Sequence, residues 1–119
     1  ANCRHRARGR LGSSLAWPAV EGDTQLSGIL SANPDKNPVF HDWTLVWVPY
    51  CDGASFTGNR VVDGIHFQGG AIRDAIVADL KATTSIRSAD MVVISGGSAG
   101  ASAVYFHVDR IAEELGLAH

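Results

Sequence analysis

The segment Gly96-Gly97-Ser98-Ala99-Gly100 has the residue types and spacing for covalent chemistry. The pattern G-x-S-x-G puts a serine on a very tight strand-to-helix turn, with its hydroxyl standing free above a sheet as a nucleophile. Glycines two residues before and after the serine remove Cβ atoms that would collide as the strand folds back against the helix. The start of that helix aims unpaired N–H groups and the positive end of its dipole at the same point. The N–H of Ala99 falls where one donor to an oxyanion belongs. A chain of this composition yields about 0.1 such matches by chance, so the weight of the pattern comes from its context. A short apolar run precedes it and an amphipathic stretch follows within two residues. A second reading stays open, in which this is a glycine-rich turn and Ser98 only caps the helix. A phosphate- or dinucleotide-binding turn is disfavoured, because G-x-G-x-x-G and G-x-x-x-x-G-K-[ST] are both missing.

A serine nucleophile needs a base. In the hydrolase plan the acid and the histidine follow the serine in chain order, and downstream of Ser98 stand only His107, Asp109, Glu113, Glu114 and His119. His107 lies nine residues along the same helix, about 13 Å away at 1.5 Å per residue, and Asp109 is farther. His119 has no element to place it. His41 and His66 precede the serine, and a base from either would be a new arrangement. Each histidine reads more simply as a surface or loop imidazole.

The elements that must position Ser98 follow from periodicity. Trp43-Thr44-Leu45-Val46-Trp47-Val48 is apolar at nearly every position, as strands buried on both faces of a parallel sheet are. A polar, glycine-bearing loop follows, Cys51 to Asn59. From Gly70 to Ala82, Ile72, Ile76 and Leu80 recur at i, i+4 and i+8 with Val77 beside them, while Arg73, Asp74, Asp79 and Lys81 fall on the other face of a helix. Met91-Val92-Val93-Ile94 reads as a second buried strand. After the turn Ser95–Gly100 a second helix runs to about Leu115 on Val104, Val108, Ile111 and Leu115, with Arg110 and Glu114 paired at i, i+4 and Gly116 as its stop. Strand, helix, strand, helix predicts an α/β architecture, a right-handed parallel βαβα unit over 43–119. Residues 1–42, punctuated by Gly12-Ser13-Ser14, Trp17-Pro18, Asn33-Pro34 and Asn37-Pro38, read as a long loop-rich excursion of a larger fold.

Composition narrows the class. The 119 residues suffice for one small domain, 45% apolar and 18% charged, with a formal net charge of −2. Disorder and a membrane span are thereby excluded, and the bulk charge gives no case for nucleic acid. Arg4, Arg6, Arg8 and Arg10 make a basic end on an otherwise acidic body, which reads as a solvated segment. Two cysteines, Cys3 and Cys51, do not establish a disulfide framework or a redox compartment. No initiator Met or signal-peptide pattern is present, and the simplest expectation is an internal piece of a longer chain.

Three segments in order carry a resemblance. Tyr50-Cys51-Asp52-Gly53-Ala54-Ser55-Phe56-Thr57-Gly58-Asn59, then Ile65-His66-Phe67-x-Gly69, then Gly96-Gly97-Ser98-Ala99-Gly100 resemble the pectin acetylesterase family, which also includes animal deacylases of the Notum type. Leu11-Gly12-Ser13-Ser14, Gly28-Ile29-Leu30-Ser31, Asn37-Pro38 and Val108-Asp109-Arg110 are similar to further segments of it, so the resemblance covers essentially the whole chain. It implies a secreted α/β-hydrolase fold in which serine, aspartate and histidine hydrolyse O-acyl esters without metal or cofactor. Ser98 matches the family nucleophile and Ala99 its oxyanion residue. The family's Gly-Gly-Trp oxyanion segment would precede Ala1, and its catalytic Asp and His would follow His119. Cys3 resembles a family cysteine whose partner lies upstream of this chain, and Cys51 is open to a partner outside it as well.

These readings together predict a partial α/β-hydrolase domain over 1–119. The expected activity of the whole protein is serine carboxylesterase action on O-acetyl esters of a polysaccharide. Asp52 and Ser55 sit after the C-terminal end of a strand, where α/β sites gather. They are candidates to line the substrate pocket, with loop bracing through Asx-type hydrogen bonds as the alternative. Deacylation of a lipid-modified protein is the alternative within the family, and a non-catalytic α/β fragment the alternative outside it.

Overall fold

In the computed structural model, residues 2–19 and 26–117 are described. They belong to two units, one formed by Ala1–Leu15 with Tyr50–His119 and the other by Ala16–Pro49. The first unit opens with a short helix α1 (Asn2–Arg6) and then holds a hairpin of β1 (Arg60–Val62) and β2 (Ile65–Phe67). Two longer helices follow, α2 (Gly69–Thr83) and α3 (Ala99–Leu115).

The hairpin is antiparallel, pairing Arg60 with Phe67, Val61 with His66 and Val62 with Ile65. Its two-residue turn is Asp63-Gly64, with φ of 51° and 74°. Two successive positive φ values give the turn whose twist matches that of the strands, and Asp-Gly is a preferred pair for it. The sequence therefore carried a direct signal for this hairpin that hydrophobic periodicity does not register.

Helix α2 begins one residue before the expected start, and the preceding loop explains why. The N–H of Gly70 donates to the Gly58 carbonyl at 2.8 Å, and the N–H of Ala71 to Asn59 Oδ1 at 2.9 Å. Gln68 makes no cap of its own, so the loop satisfies the orphan donors instead. Val77 is buried where the stripe placed it. Arg73 is not on the solvated face as expected but buried, because it turns inward toward α3. Helix α3 runs as its periodicity predicts and buries Leu115. Gly116 ends it at φ 72° and ψ 31°, and Leu117 donates back to the Ala112 carbonyl at 3.1 Å. This is the left-handed glycine stop with its backward hydrogen bonds. The expected pair is present too, Arg110 Nε donating to Glu114 Oε1 at 2.6 Å.

The parallel pairing expected of 43–48 and 91–94 is absent among the described residues, whose one sheet is the antiparallel hairpin. Both segments run without ladder partners and leave apolar side chains open, among them Trp47, Met91 and Val93. A strand exists only through its neighbours' N–H and C=O groups, and β-rich composition supplies none of these. The described residues of the segment 1–42, expected to be loop-rich, include α1 and short helical turns. One is Gly28–Leu30, and Asn37 secures it. Asn37 is buried, donating from Nδ2 to the carbonyls of Ile29 and Ser31, both at 2.9 Å, and accepting from the Phe40 N–H at 3.0 Å.

Candidate active site

Ser98 sits at the N-cap of α3 with φ 53° and ψ −118°. This positive-φ conformation is one that a side chain adopts only under constraint, at a cost of about 1–3 kcal/mol. Its cause is local. A Cβ on Gly96 would overlap the backbone carbonyl of Gly100 and lie 2.8 Å from the Ala101 nitrogen. Only a glycine lets the chain double back so tightly before the helix begins. Gly100 differs from expectation, since nothing lies within 4 Å of a Cβ there, nor at Gly97. The steric demand thus falls on Gly96 alone.

The consequence is an exposed Ser98 whose side chain makes no capping hydrogen bond. The capping role weighed above is therefore not what this hydroxyl does. Behind it the helix has started, with Gly100 N–H on the Gly97 carbonyl at 2.8 Å and Ser102 N–H on the Ser98 carbonyl at 3.2 Å. The N–H of Ala99 has no acceptor among the described residues. A free hydroxyl and a free N–H on adjacent residues, at the positive end of a 17-residue helix, can attack a carbonyl and hold its oxygen.

The loop from Cys51 to Asn59 is organised by Asp52. This carboxylate is buried, and its Oδ2 accepts the N–H of Ala54 at 3.1 Å and of Phe56 at 3.0 Å. A Cβ on Gly69 would overlap Asp52 Oδ2 and lie 2.5 Å from the Phe56 Cα, so the loop rests against the first turn of α2. Ser55 and Phe56 both take positive φ, 52° and 58°. The Ser55 N–H donates to the Tyr50 hydroxyl at 3.2 Å, and the Tyr50 ring lies 5.7 Å from that of Phe56. The geometry gives Asp52 a bracing contact on the backbone, while its Oδ1 is buried without a partner. Ser55 is half-buried. Cys51, also half-buried, has its thiol pKa pushed up, first by burial and then by the Asp52 carboxylate.

The histidines divide. His66 is exposed on β2, and His119 lies outside the described residues. His41 is half-buried in the second unit, with Nδ1 unpartnered. His107 is not the loose imidazole expected. Its Nδ1 meets Arg73 Nη1 at 3.0 Å, and its Nε2 is buried with no well-formed hydrogen bond. Burial holds its pKa down, reinforced by the charges of Arg73 and Arg110. The Ser55 backbone and Asp74 oppose this less strongly. The Arg73 guanidinium is braced from its other side by Asp74, whose Oδ1 accepts from Nε at 3.0 Å and from Nη2 at 2.6 Å. Arg110 Nη2 reaches the same carboxylate at 3.2 Å. The Arg73 side chain lowers the Asp74 pKa more than its partial desolvation raises it. Sequence reasoning missed Arg73, because a charged residue inside an amphipathic helix reads as solvated until the facing helix is known.

Among the described residues no three His, Cys, Asp or Glu side chains gather as a metal site, and no helix is long and apolar enough to cross a membrane. The chain is 35% identical over 114 residues to a palmitoleoyl-protein carboxylesterase NOTUM of Schmidtea mediterranea, covering 94% of this chain and 21% of that protein. It is 37% identical over 113 residues to pectin acetylesterase 7 of Arabidopsis thaliana, covering 92% and 28%. To the human palmitoleoyl-protein carboxylesterase NOTUM it is 33% identical over 119 residues, covering 96% and 23%. The chain thus spans between a fifth and a third of the length of these relatives. The pectinacetylesterase family model matches residues 1–118, and this chain belongs to that family.

Proposed function

We propose that the whole protein is a serine carboxylesterase that removes acetyl groups from a polysaccharide, with Ser98 as nucleophile. The observation that carries this is the exposed, uncapped Ser98 hydroxyl on a positive-φ turn, next to the unoccupied N–H of Ala99. In the proposed reaction Ser98 Oγ bonds to the ester carbonyl carbon while an imidazole takes the hydroxyl proton. The Ala99 N–H donates to the oxyanion, a contribution of about 2.7–4 kcal/mol for one such donor. Collapse of the adduct breaks the bond to the sugar oxygen, which leaves with the proton as a free hydroxyl. Water then frees acetate from Ser98 by the same steps in reverse.

His107 is about 13 Å along the helix and turned toward Arg73, so the base and its carboxylate are proposed to come from outside residues 1–119. The same completion would supply strand neighbours for 43–48 and 91–94, making them inner strands of a parallel sheet in an α/β-hydrolase domain. A secreted, extracellular protein free of metal and organic cofactor fits this reading. Asp52 and Ser55 stand in it as the loop beside the acyl site, Asp52 by bracing it.

In the full-length protein, Ser98→Ala should reduce hydrolysis of acetylated pectin and of p-nitrophenyl acetate to background while leaving the circular dichroism spectrum intact. Turnover within tenfold of wild type would overturn the assignment. The NOTUM relatives favour a second reading, cleavage of a long acyl chain from a protein. Comparing acetyl with palmitoleoyl esters on the same preparation separates the two.

A further inference from the structure

The contact between His107 and Arg73 fixes more than two side chains. A guanidinium has donors only, so Nδ1 of His107, 3.0 Å from Arg73 Nη1, is the accepting nitrogen. The ring is then neutral, and its proton sits on Nε2, a buried atom without a hydrogen-bond partner, while the Ser55 backbone lies close enough to the ring to weigh on its titration. Three elements meet at this imidazole: α2 through Arg73, α3 through the ring itself, and the loop through Ser55. Among the described residues, the charged groups that weigh on it are Arg73 and Asp74 on α2 and Arg110 on α3. Asp74 bridges the two arginines and Glu114 pairs with Arg110, so both carboxylates are already committed to cations when the ring takes a proton.

We propose that His107 is a positioning residue, a neutral wedge that keeps the Ser55–Phe56 turn of the loop in register with the helix that presents Ser98, and that acid releases it. Protonation places an N–H against the Arg73 N–H at Nδ1, so the ring must leave the guanidinium. Ser55 and Phe56, both in left-handed conformations, then lose a support and relax. The link to catalysis rests on the function proposed above, whereas the lock itself does not depend on it.

The experiment is amide hydrogen exchange on full-length protein carrying Ser98→Ala, so that the outcome is independent of esterase activity. The reporters are the hydrogen-bonded N–H groups of Ala54, Ser55, Phe56 and Thr57. Protection corrected for intrinsic exchange should fall at least tenfold between pH 7.5 and pH 5. With His107→Gln, a neutral side chain that carries both an acceptor and a donor, it should stay flat. The same acid loss in His107→Gln, or none in the His107 protein, overturns the proposal. Nitrogen-15 NMR of the ring checks it without any substitution at 107. An Nε2–H tautomer at pH 7.5 is expected, and an Nδ1–H tautomer overturns it. Activity is read separately: if the lock holds but Ser98→Ala leaves turnover unchanged, the esterase reading fails and the wedge stands.

Discussion

Gly96 and Gly100 are in backbone contact: a side chain on the first would occupy the space of the carbonyl of the second. That approach forces Ser98, halfway between them, into positive φ and lifts its hydroxyl clear of the helix it precedes. The two glycines of the motif are therefore unequal.

Gly96→Ala in the full-length protein should cost about 1–3 kcal/mol, the range for overpacking, measured by urea denaturation, and should lower kcat as Ser98 shifts. Gly97→Ala meets open space at a position outside the left-handed region. It should be neutral or stabilising by about 0.4–1 kcal/mol.

Ser98→Gly should raise stability by about 1 kcal/mol by relieving the strained φ, while removing all hydrolysis with the hydroxyl. Ser98→Ala should remove hydrolysis without that gain, since alanine inherits the strain. Parallel melts of the two variants check this.

Stability should decline on acidification in two stages. An unfolded histidine takes its proton near pH 6.5, but folded His107 resists, its pKa lowered by burial and Arg73. The unfolded state then binds more protons, so this contribution is complete above about pH 6.5 and is lost as pH falls below it. Asp74, lowered chiefly by Arg73, contributes above the ordinary carboxylate range near pH 4, and its share is lost below that. Denaturation midpoints from pH 8 to pH 3 should show both stages, the upper one absent in His107→Gln.

Gly64 and Gly116 hold φ of 74° and 72° with nothing closer than 4.0 Å to a Cβ. Replacing either with alanine should cost about 1 kcal/mol through backbone strain alone. A larger loss would show an unrecognised contact.

What the sequence revealed follows the range of the forces involved. The Ser98 turn, both helices and the Gly116 stop were legible because each depends on residues within a few positions. Asp63-Gly64 is equally local, but it is a turn signal that hydrophobic period does not register. Parallel partners for 43–48 and 91–94 are not written in those segments, since pairing is a property of the neighbour. Arg73 and His107 stand 34 positions apart. Only the approach of α2 to α3 turns a residue typed as solvated into a buried donor.

The hydrogen bonds that shape the loop and seat it on α2 span at most 12 residues, from Asp52 within the loop to Asn59 on Ala71. The hairpin between them closes through two residues. Short closures are cheap in entropy and fast. On the ribosome, where segments fold as they emerge, this floor can set before the helix that carries Ser98 has emerged. The nucleophile's helix then docks against a finished surface, with Arg73 in place to receive His107.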